Sequence, residues 1–261
     1  MAMQPNGLPE VKSGKCSLKH QRQSIRKTLL IISFLLFPLT FYYFSPYLII
    51  QAIAEGIMAG SFIIFIALTI SAIFFGRLFC GWVCPAAGLQ EFATLANNKK
   101  NKGKWRKWIK YLIWVPWVGT IVALSIQVGG IKQVDFFYQT WNGISVSEPE
   151  GYIIYYAVLI VILLVALIGG RRSFCHSICW MAPFMQLGIL LRRVLHIPGL
   201  QLTADSENCI SCKQCTSNCV MSLEVMERVK TGKIDSLDCS LCGECVDTCP
   251  KNVIQYSFTN R

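Results

Sequence analysis

The sequence predicts a membrane all-α domain, a four-span helical bundle, joined to a small C-terminal α+β domain. Three observations carry this. Charged residues make up only 15% of the 261, and mean hydropathy is +0.46, too apolar for an ordinary soluble domain. Four apolar stretches approach or reach the length that crosses a bilayer. Eight of the 13 cysteines fall in two matching runs near the C terminus.

The chain divides into a basic tail (1–27), a membrane domain (28–196) and a cysteine-rich domain (197–261). The tail carries Lys12, Lys15, Lys19, Arg22, Arg26 and Lys27, and its lone cysteine, Cys16, is read as a bystander. No cleavable signal peptide is expected, because the first apolar run begins near Leu29 behind a long polar leader. The expected spans are Leu29–Ile50, Ile57–Phe75, Ile109–Val128 and Tyr152–Ile168. Pro38 and Pro46 are expected to kink or end the first. A buried soluble bundle would show polar stripes at helical period; these stretches are apolar all round.

The basic residues orient the spans. Of 25 Lys and Arg, all but Lys132 fall before the first span, between the second and third, or after the fourth. Both termini and the middle loop are therefore expected in the cytoplasm. The net charge of +11 follows from this distribution and does not call for a nucleic-acid partner. The basic loop around residues 97–107 is read as setting topology and meeting anionic membrane lipid, with docking of an acidic redox protein as the alternative. The four tryptophans Trp105, Trp108, Trp114 and Trp117 fit an interfacial belt.

The cysteine runs read C-I-S-C-K-Q-C-T-S-N-C and, nineteen residues later, C-S-L-C-G-E-C-V-D-T-C-P. Each is Cys-x2-Cys-x2-Cys-x3-Cys, the spacing that wraps a 4Fe–4S cube, with the fourth cysteine of each run reaching over to the other cluster. One cluster then takes Cys209, Cys212, Cys215 and Cys249, and the other Cys239, Cys242, Cys245 and Cys219. Zinc knuckles or disulfides are the competing reading, but zinc sites use pairs of cysteines and not doubled runs of four. The runs resemble the bacterial two-cluster ferredoxins. Val220 stands where the first run would carry proline, while the second keeps Pro250. Clusters belong in a reducing compartment, in line with the orientation read from charge.

Two shorter pairs recur. R-L-F-C-G-W-V-C-P carries Cys80 and Cys84, and R-S-F-C-H-S-I-C-W carries Cys175 and Cys179, 95 residues further on. Both follow Phe, both have an arginine (Arg77, Arg172) three residues upstream, and both come directly after a span. This reads as an internal repeat whose four thiols converge on one redox or metal site. Three uses compete: a third metal centre, iron–sulfur first and zinc second; redox-active dithiols; or plain buried cysteine. In either active use, Arg77 and Arg172 are expected to lower the thiol pKa values. His176 lies inside the second pair.

Four spans, two Cys-x3-Cys turns and a C-terminal two-cluster ferredoxin resemble the NapH-type membrane ferredoxins, the quinol-dehydrogenase membrane components of periplasmic nitrate reduction. The membrane cores of NosR-type and CcoG-type proteins are similar. Cys80–Pro85 fits the family's Cys-x3-Cys-Pro, whereas Trp180 replaces the proline of the second turn. The resemblance implies a multi-pass protein of the cytoplasmic membrane. It would act as an electron-transfer subunit of a quinol-linked oxidoreductase, with quinone or quinol as substrate and a redox protein or terminal reductase as partner. The CcoG likeness implies an alternative, a metal- or thiol-reducing assembly factor that uses the paired cysteines.

Phe184–Leu195 is read as an interfacial helix or a connector packed on the spans, and His196–Asn208 as a linker. Since the three histidines (His20, His176, His196) lie outside the spans, bis-histidine haems across the membrane are excluded on ligand supply. No glycine fingerprint for NAD or FAD is present.

Overall fold

The computed structural model describes residues 13–101, 103 and 105–259, with side chains from residue 21 onward. Lys12, Lys102 and Lys104, and the side chain of Cys16, lie outside the described residues.

The described residues open with α1 (Ser13–Leu35). The first apolar stretch is not one helix. It breaks after Leu35 into α2 (Phe37–Thr40), a 3-10 turn (Tyr42–Phe44) and α3 (Pro46–Ala54). Pro38 and Pro46 sit in the first turn of α2 and α3, where a missing N–H costs nothing, and each clashes with any helix continuing from before it. Ser45 caps α3 by accepting from the Leu48 amide (3.5 Å).

The second stretch begins as a strand, β1 (Ile57–Ala59), paired in parallel with β2 (Gln133–Asp135), Ile57 opposite Gln133. Its helix, α4 (Gly60–Phe75), has 16 residues, about 24 Å at 1.5 Å per residue. Among the described residues, two helices are long and apolar enough to cross a membrane: α7 (Arg106–Gln127) and α8 (Pro149–Gly169). The four stretches thus become two full-length helices, one short one and one broken one. Leu112 and Ile126 on α7, and Ile153 and Ile168 on α8, are more than 70% exposed, an apolar outer surface that fits lipid and not water.

Between these lie α5 (Leu78–Trp82) and α6 (Pro85–Ala96), and after α8 come α9 (Ser173–Ser177) and α10 (Met181–Val194). Each repeat is therefore a long helix, a cysteine turn and a shorter helix. The two repeats exchange partners: α10 packs on α4, and α6 packs on α8. Gly188 permits the first contact, because a Cβ there would lie 2.4 Å from the Thr69 carbonyl oxygen. Met185, Gln186 and Ile189 are buried, so one face of α10 packs on the bundle, while Leu187, Leu190, Leu191 and Val194 are exposed on the other. Trp105 and Trp108 are exposed as a belt requires. Trp117 instead turns inward, donating to the Pro46 carbonyl (3.2 Å), and Trp114 packs on Phe184.

The expected linker contains β3 (Gly199–Ala204), antiparallel to β4 (Ile254–Thr259) with Gly199 opposite Thr259. Three short helices complete the domain: α11 (Gln214–Ser217), α12 (Val225–Val229) and α13 (Glu244–Asp247). Leu202, Val229, Ile234 and Ile254 form its core together with Cys215, Cys219, Cys245 and Cys249; Cys175 of the membrane domain belongs to the same buried cluster.

Candidate functional site

Two small cavities sit in the ferredoxin domain. One is lined by Cys209, Cys212, Cys215 and Cys249. The other is lined by Cys219, Cys239, Cys242 and Cys245. Each brings three cysteines of one run together with the last of the other. Among the described residues, no three His, Cys, Asp or Glu side chains converge tightly enough to chelate a single ion. Burial pushes the Cys239 thiol up to about 12 and Cys219 to about 11, so these thiols ionise only against a strong positive centre. The Leu223 amide already points at the Cys219 Sγ (3.4 Å).

The two Cys-x3-Cys segments fold alike. In each, one short helical turn ends with two amides on one phenylalanine carbonyl. Val83 and Cys84 both bond Phe79 (2.9 Å each), and Ile178 and Cys179 both bond Phe174 (3.0 Å each). The second cysteine of each pair lies just past the helix end. All four are buried. Burial raises the Cys84 thiol pKa, and Cys80, Cys175 and Cys179 raise it further; Cys179 rises to about 12 by burial and the nearby Cys175 and Cys80. Cys84 and Cys179, one from each pair, line a common cavity. Arg172 and Arg77 do pull Cys175 down, but burial outweighs them and its pKa is still raised. The expectation of depressed thiol pKa values is corrected: desolvation of a thiolate exceeds the attraction of the arginines.

Each repeat completes the other's first cysteine. Met185 Sδ of α10 lies 3.3 Å from Cys80 Sγ, and Gln90 of α6 donates to Cys175 Sγ (3.2 Å). Gln90 and Met185 hold the same place in the two repeats. Arg172 donates to the Cys80 carbonyl (2.7 Å) and pairs with Glu91 (3.2 Å). Burial pushes the Glu91 carboxyl up, but Arg172 and Arg26 hold it at about 2. Arg77 Nε, Arg172 Nε and His176 Nδ1 are buried without a partner. Two unsatisfied guanidinium donors beside four thiols fit an anionic centre, which a thiolate-ligated iron–sulfur cluster is.

One ferredoxin cavity abuts this site. Trp82 donates to the Leu241 carbonyl (3.1 Å), and the buried His176 bonds the Met221 carbonyl through Nε2 (2.8 Å). Burial drops the His176 pKa to about 4, so it is a neutral hydrogen-bond donor. At the same repeat position stands Gly81, whose missing side chain admits the Ser240 carbonyl; a Cβ there would lie 2.2 Å from that oxygen. Both turns thus hold the cavity of Cys219, Cys239, Cys242 and Cys245.

On the far side of the pairs lies an apolar cavity of about 590 Å³. Phe41, Phe44, Val158, Ile162 and Trp180 line it together with Cys84 and Cys179. Ser45, Gln51 and Gln139 give it polar points. The cavity occupies the space left where the first apolar stretch breaks, and only the two prolines hint at it in the sequence.

A buried pair of turns, two cysteine-lined cavities and apolar helices define an iron–sulfur electron-transfer protein. A family model described as a 4Fe-4S binding domain matches twice, at residues 57–103 and 153–198, once per repeat. A 4Fe-4S dicluster domain matches residues 208–254. The ferredoxin-type protein NapH of Escherichia coli is 24% identical over 229 residues, 83% of this chain and 75% of NapH. The putative electron transport protein YccM of E. coli is 21% identical over 225 residues, 78% of this chain and 57% of YccM. An uncharacterized protein of Methanocaldococcus jannaschii is 26% identical over 206 residues, 78% of this chain and 80% of the relative. No solved structure matches. The chain is similar to the NapH ferredoxin-type proteins and to YccM.

Proposed function

We propose that this chain carries electrons between a quinone pool and a redox partner protein, as a four-span protein of the cytoplasmic membrane with both termini inside. The observation that carries this reading is the cavity of about 590 Å³ lined by one cysteine from each pair, with the ferredoxin domain on the other side of those pairs. Its size and apolar lining suit a small lipid-soluble ligand, and its polar points suit the oxygens of a quinone ring. A quinol that becomes quinone gives up two electrons and two protons. Phe41, Phe44 and Trp180 would hold its ring; Cys84 and Cys179 would meet its inner edge.

The resident groups are two 4Fe–4S clusters, on Cys209, Cys212, Cys215 and Cys249 and on Cys219, Cys239, Cys242 and Cys245. They supply one-electron carriers when bound. Cys80, Cys84, Cys175 and Cys179 would hold a third metal centre, iron–sulfur by the unsatisfied arginine donors beside them. The CcoG-like alternative, reduction of a soluble metal ion or thiol, asks the paired cysteines to reach water, and all four are buried.

Full-length protein purified without oxygen is expected to hold at least about eight irons, four for each cube. Iron near zero with stoichiometric zinc would end the reading. Topology is tested separately, since 24 of the 25 Lys and Arg fall on one side of the four expected spans. A reporter active only outside the cytoplasm should be silent when fused at the chain end and active within Lys132–Gly151. The reverse pattern would overturn the orientation.

A further inference from the structure

The ferredoxin domain contains the same cysteine loop twice, and the two copies differ in charge. Asp238 precedes Cys239 where Asn208 precedes Cys209. Glu244 precedes Cys245 where Gln214 precedes Cys215, and Asp247 stands where the first loop has Ser217. All three acids of the second loop are taken by the rest of the chain. Asp238 pairs with Lys110 (3.0 Å), Lys107 (3.4 Å) and Arg77 (3.5 Å). Glu244 pairs with the fully buried Arg26 (3.2 Å), and Asp247 with Arg22. In the first loop, the Asn208 side chain turns to Asp205 (2.6 Å) and the Ser217 hydroxyl to the Gln214 carbonyl (3.0 Å), both within the domain. Arg171 of the membrane domain reaches only backbone carbonyls of this loop, at Ser217 and Cys219, with no carboxylate of this loop paired to it. The packing differs in the same sense. Ser240 is 1% exposed, whereas its counterpart Ile210 is 56% exposed, with Cys212 exposed beside it.

The receiving surface is unequal for a matching reason. Glu91 and Gln186 hold the same position in the two repeats. Glu91 neutralises Arg172 and, at 2.8 Å, Arg26. Gln186 leaves Arg77, the counterpart of Arg172, without a carboxylate at that position. Gln186 accepts from the Tyr111 hydroxyl (2.6 Å) and turns its amide to Asp238 (2.9 Å). Arg77 and Lys110 are each 1% exposed, and buried cations need a counter-charge. Asp238 supplies it; an asparagine in its place would not.

We propose that this charge code orients the ferredoxin domain. It seats the loop that starts at Cys239 on the paired cysteine turns and turns the loop that starts at Cys209 outward. The site of Cys219, Cys239, Cys242 and Cys245 then exchanges electrons with the membrane domain. The site of Cys209, Cys212, Cys215 and Cys249 exchanges them with a redox protein docking over Ile210. This order rests on the reading that the eight cysteines hold clusters.

The test uses the full chain in lipid vesicles with a water-soluble quinol analogue. Asp238→Asn removes the counter-charge of the buried Arg77 and Lys110. It is expected to keep iron content and dithionite reduction while slowing quinol-driven cluster reduction by about tenfold or more, since buried cations are left unpaired. Adding Gln186→Glu should restore the rate, because the new carboxylate serves Arg77 and Lys110 and the asparagine amide serves the carboxylate. An unaffected rate in Asp238→Asn, or no recovery in the double variant, would overturn the proposal. A second measurement needs no fragile variant. A soluble dysprosium chelate should broaden one reduced-cluster paramagnetic signal far more than the other, and the broadened signal should be the one missing in Cys209→Ser. Equal broadening, or broadening of the other signal, would overturn the orientation. Absence of cluster signals from the unmodified protein would instead sink the cluster reading itself.

Discussion

Cys80→Ser and Cys175→Ser are each expected to stop quinol-driven reduction of the ferredoxin domain while leaving its iron content intact. Each cysteine is the first of its pair. Cys80 packs on Met185, and Cys175 shares a buried core with Leu241 and Cys245. Serine is close in size, so the packing survives, but its hydroxyl is a hard, poorly acidic donor that neither replaces a thiolate toward iron nor forms a disulfide. The expected loss is about a hundredfold or more in rate for each variant, because the site acts as a unit and residues that act as a unit are not additive. Dithionite, which bypasses the membrane domain, should still reduce the clusters fully. Stopped-flow absorbance after mixing with quinol reads the first result, and iron analysis with paramagnetic resonance reads the second. Full quinol-driven reduction in the Cys80→Ser/Cys175→Ser double variant would return these residues to structural cysteines.

Much of the architecture was legible because it is local. Pro38 and Pro46 stand where the first apolar stretch breaks, and the doubled cysteine runs name their chemistry by spacing alone. What was not legible depends on contacts far apart in sequence. Nothing near Ile57 announces that the second apolar stretch starts as a strand, since its partner is Gln133. The apolar run Phe184–Leu195 has the pattern of a surface helix as readily as of a packed one. Its burial comes from α4, more than a hundred residues upstream, and from the exchange of partners between repeats.

The candidate site divides in the same way. The recurrence of Arg, Phe and two cysteines was visible, and so was the offset of the repeat. Gln90, Glu91, Met185 and Gln186 were missed, although the same offset superimposes them in pairs. They sit in otherwise ordinary helices, and only the fold carries each across to the other repeat's cysteine or arginine. Arg26 looked like one more cation of a basic tail. It is fully buried between Glu91 and Glu244, and an uncompensated charge there would cost roughly 3–5 kcal/mol. Sequence proximity also misjudged the thiols. An arginine three residues away reads as activation, whereas burial raises the pKa values of Cys175 and Cys179 by more than the arginines lower them.

Narrowing the apolar cavity should separate quinol chemistry from cluster chemistry. Val158 lies on α8, lines the cavity and packs between two core clusters. Val158→Phe adds a ring in the space that the quinone reading fills with substrate. The expected result is a rise in quinol KM or a fall in kcat of about tenfold or more, since displaced ring contacts and overpacking cost of order 1–3 kcal/mol. Iron content and dithionite reduction should match the unmodified protein, because Val158 is in neither cysteine-lined cavity. Leu164→Phe is the control. Leu164 is on the same helix, 50% exposed on its outer face, and a ring there meets lipid, so its kinetics should stay within about twofold of the unmodified protein. If both variants oxidise quinol normally, the cavity is not the quinol site. If both fail alike while holding their clusters, the defect belongs to α8 packing and not to occupancy of the cavity. A defect confined to Val158→Phe would mark the cavity as the place where quinol meets Cys84 and Cys179.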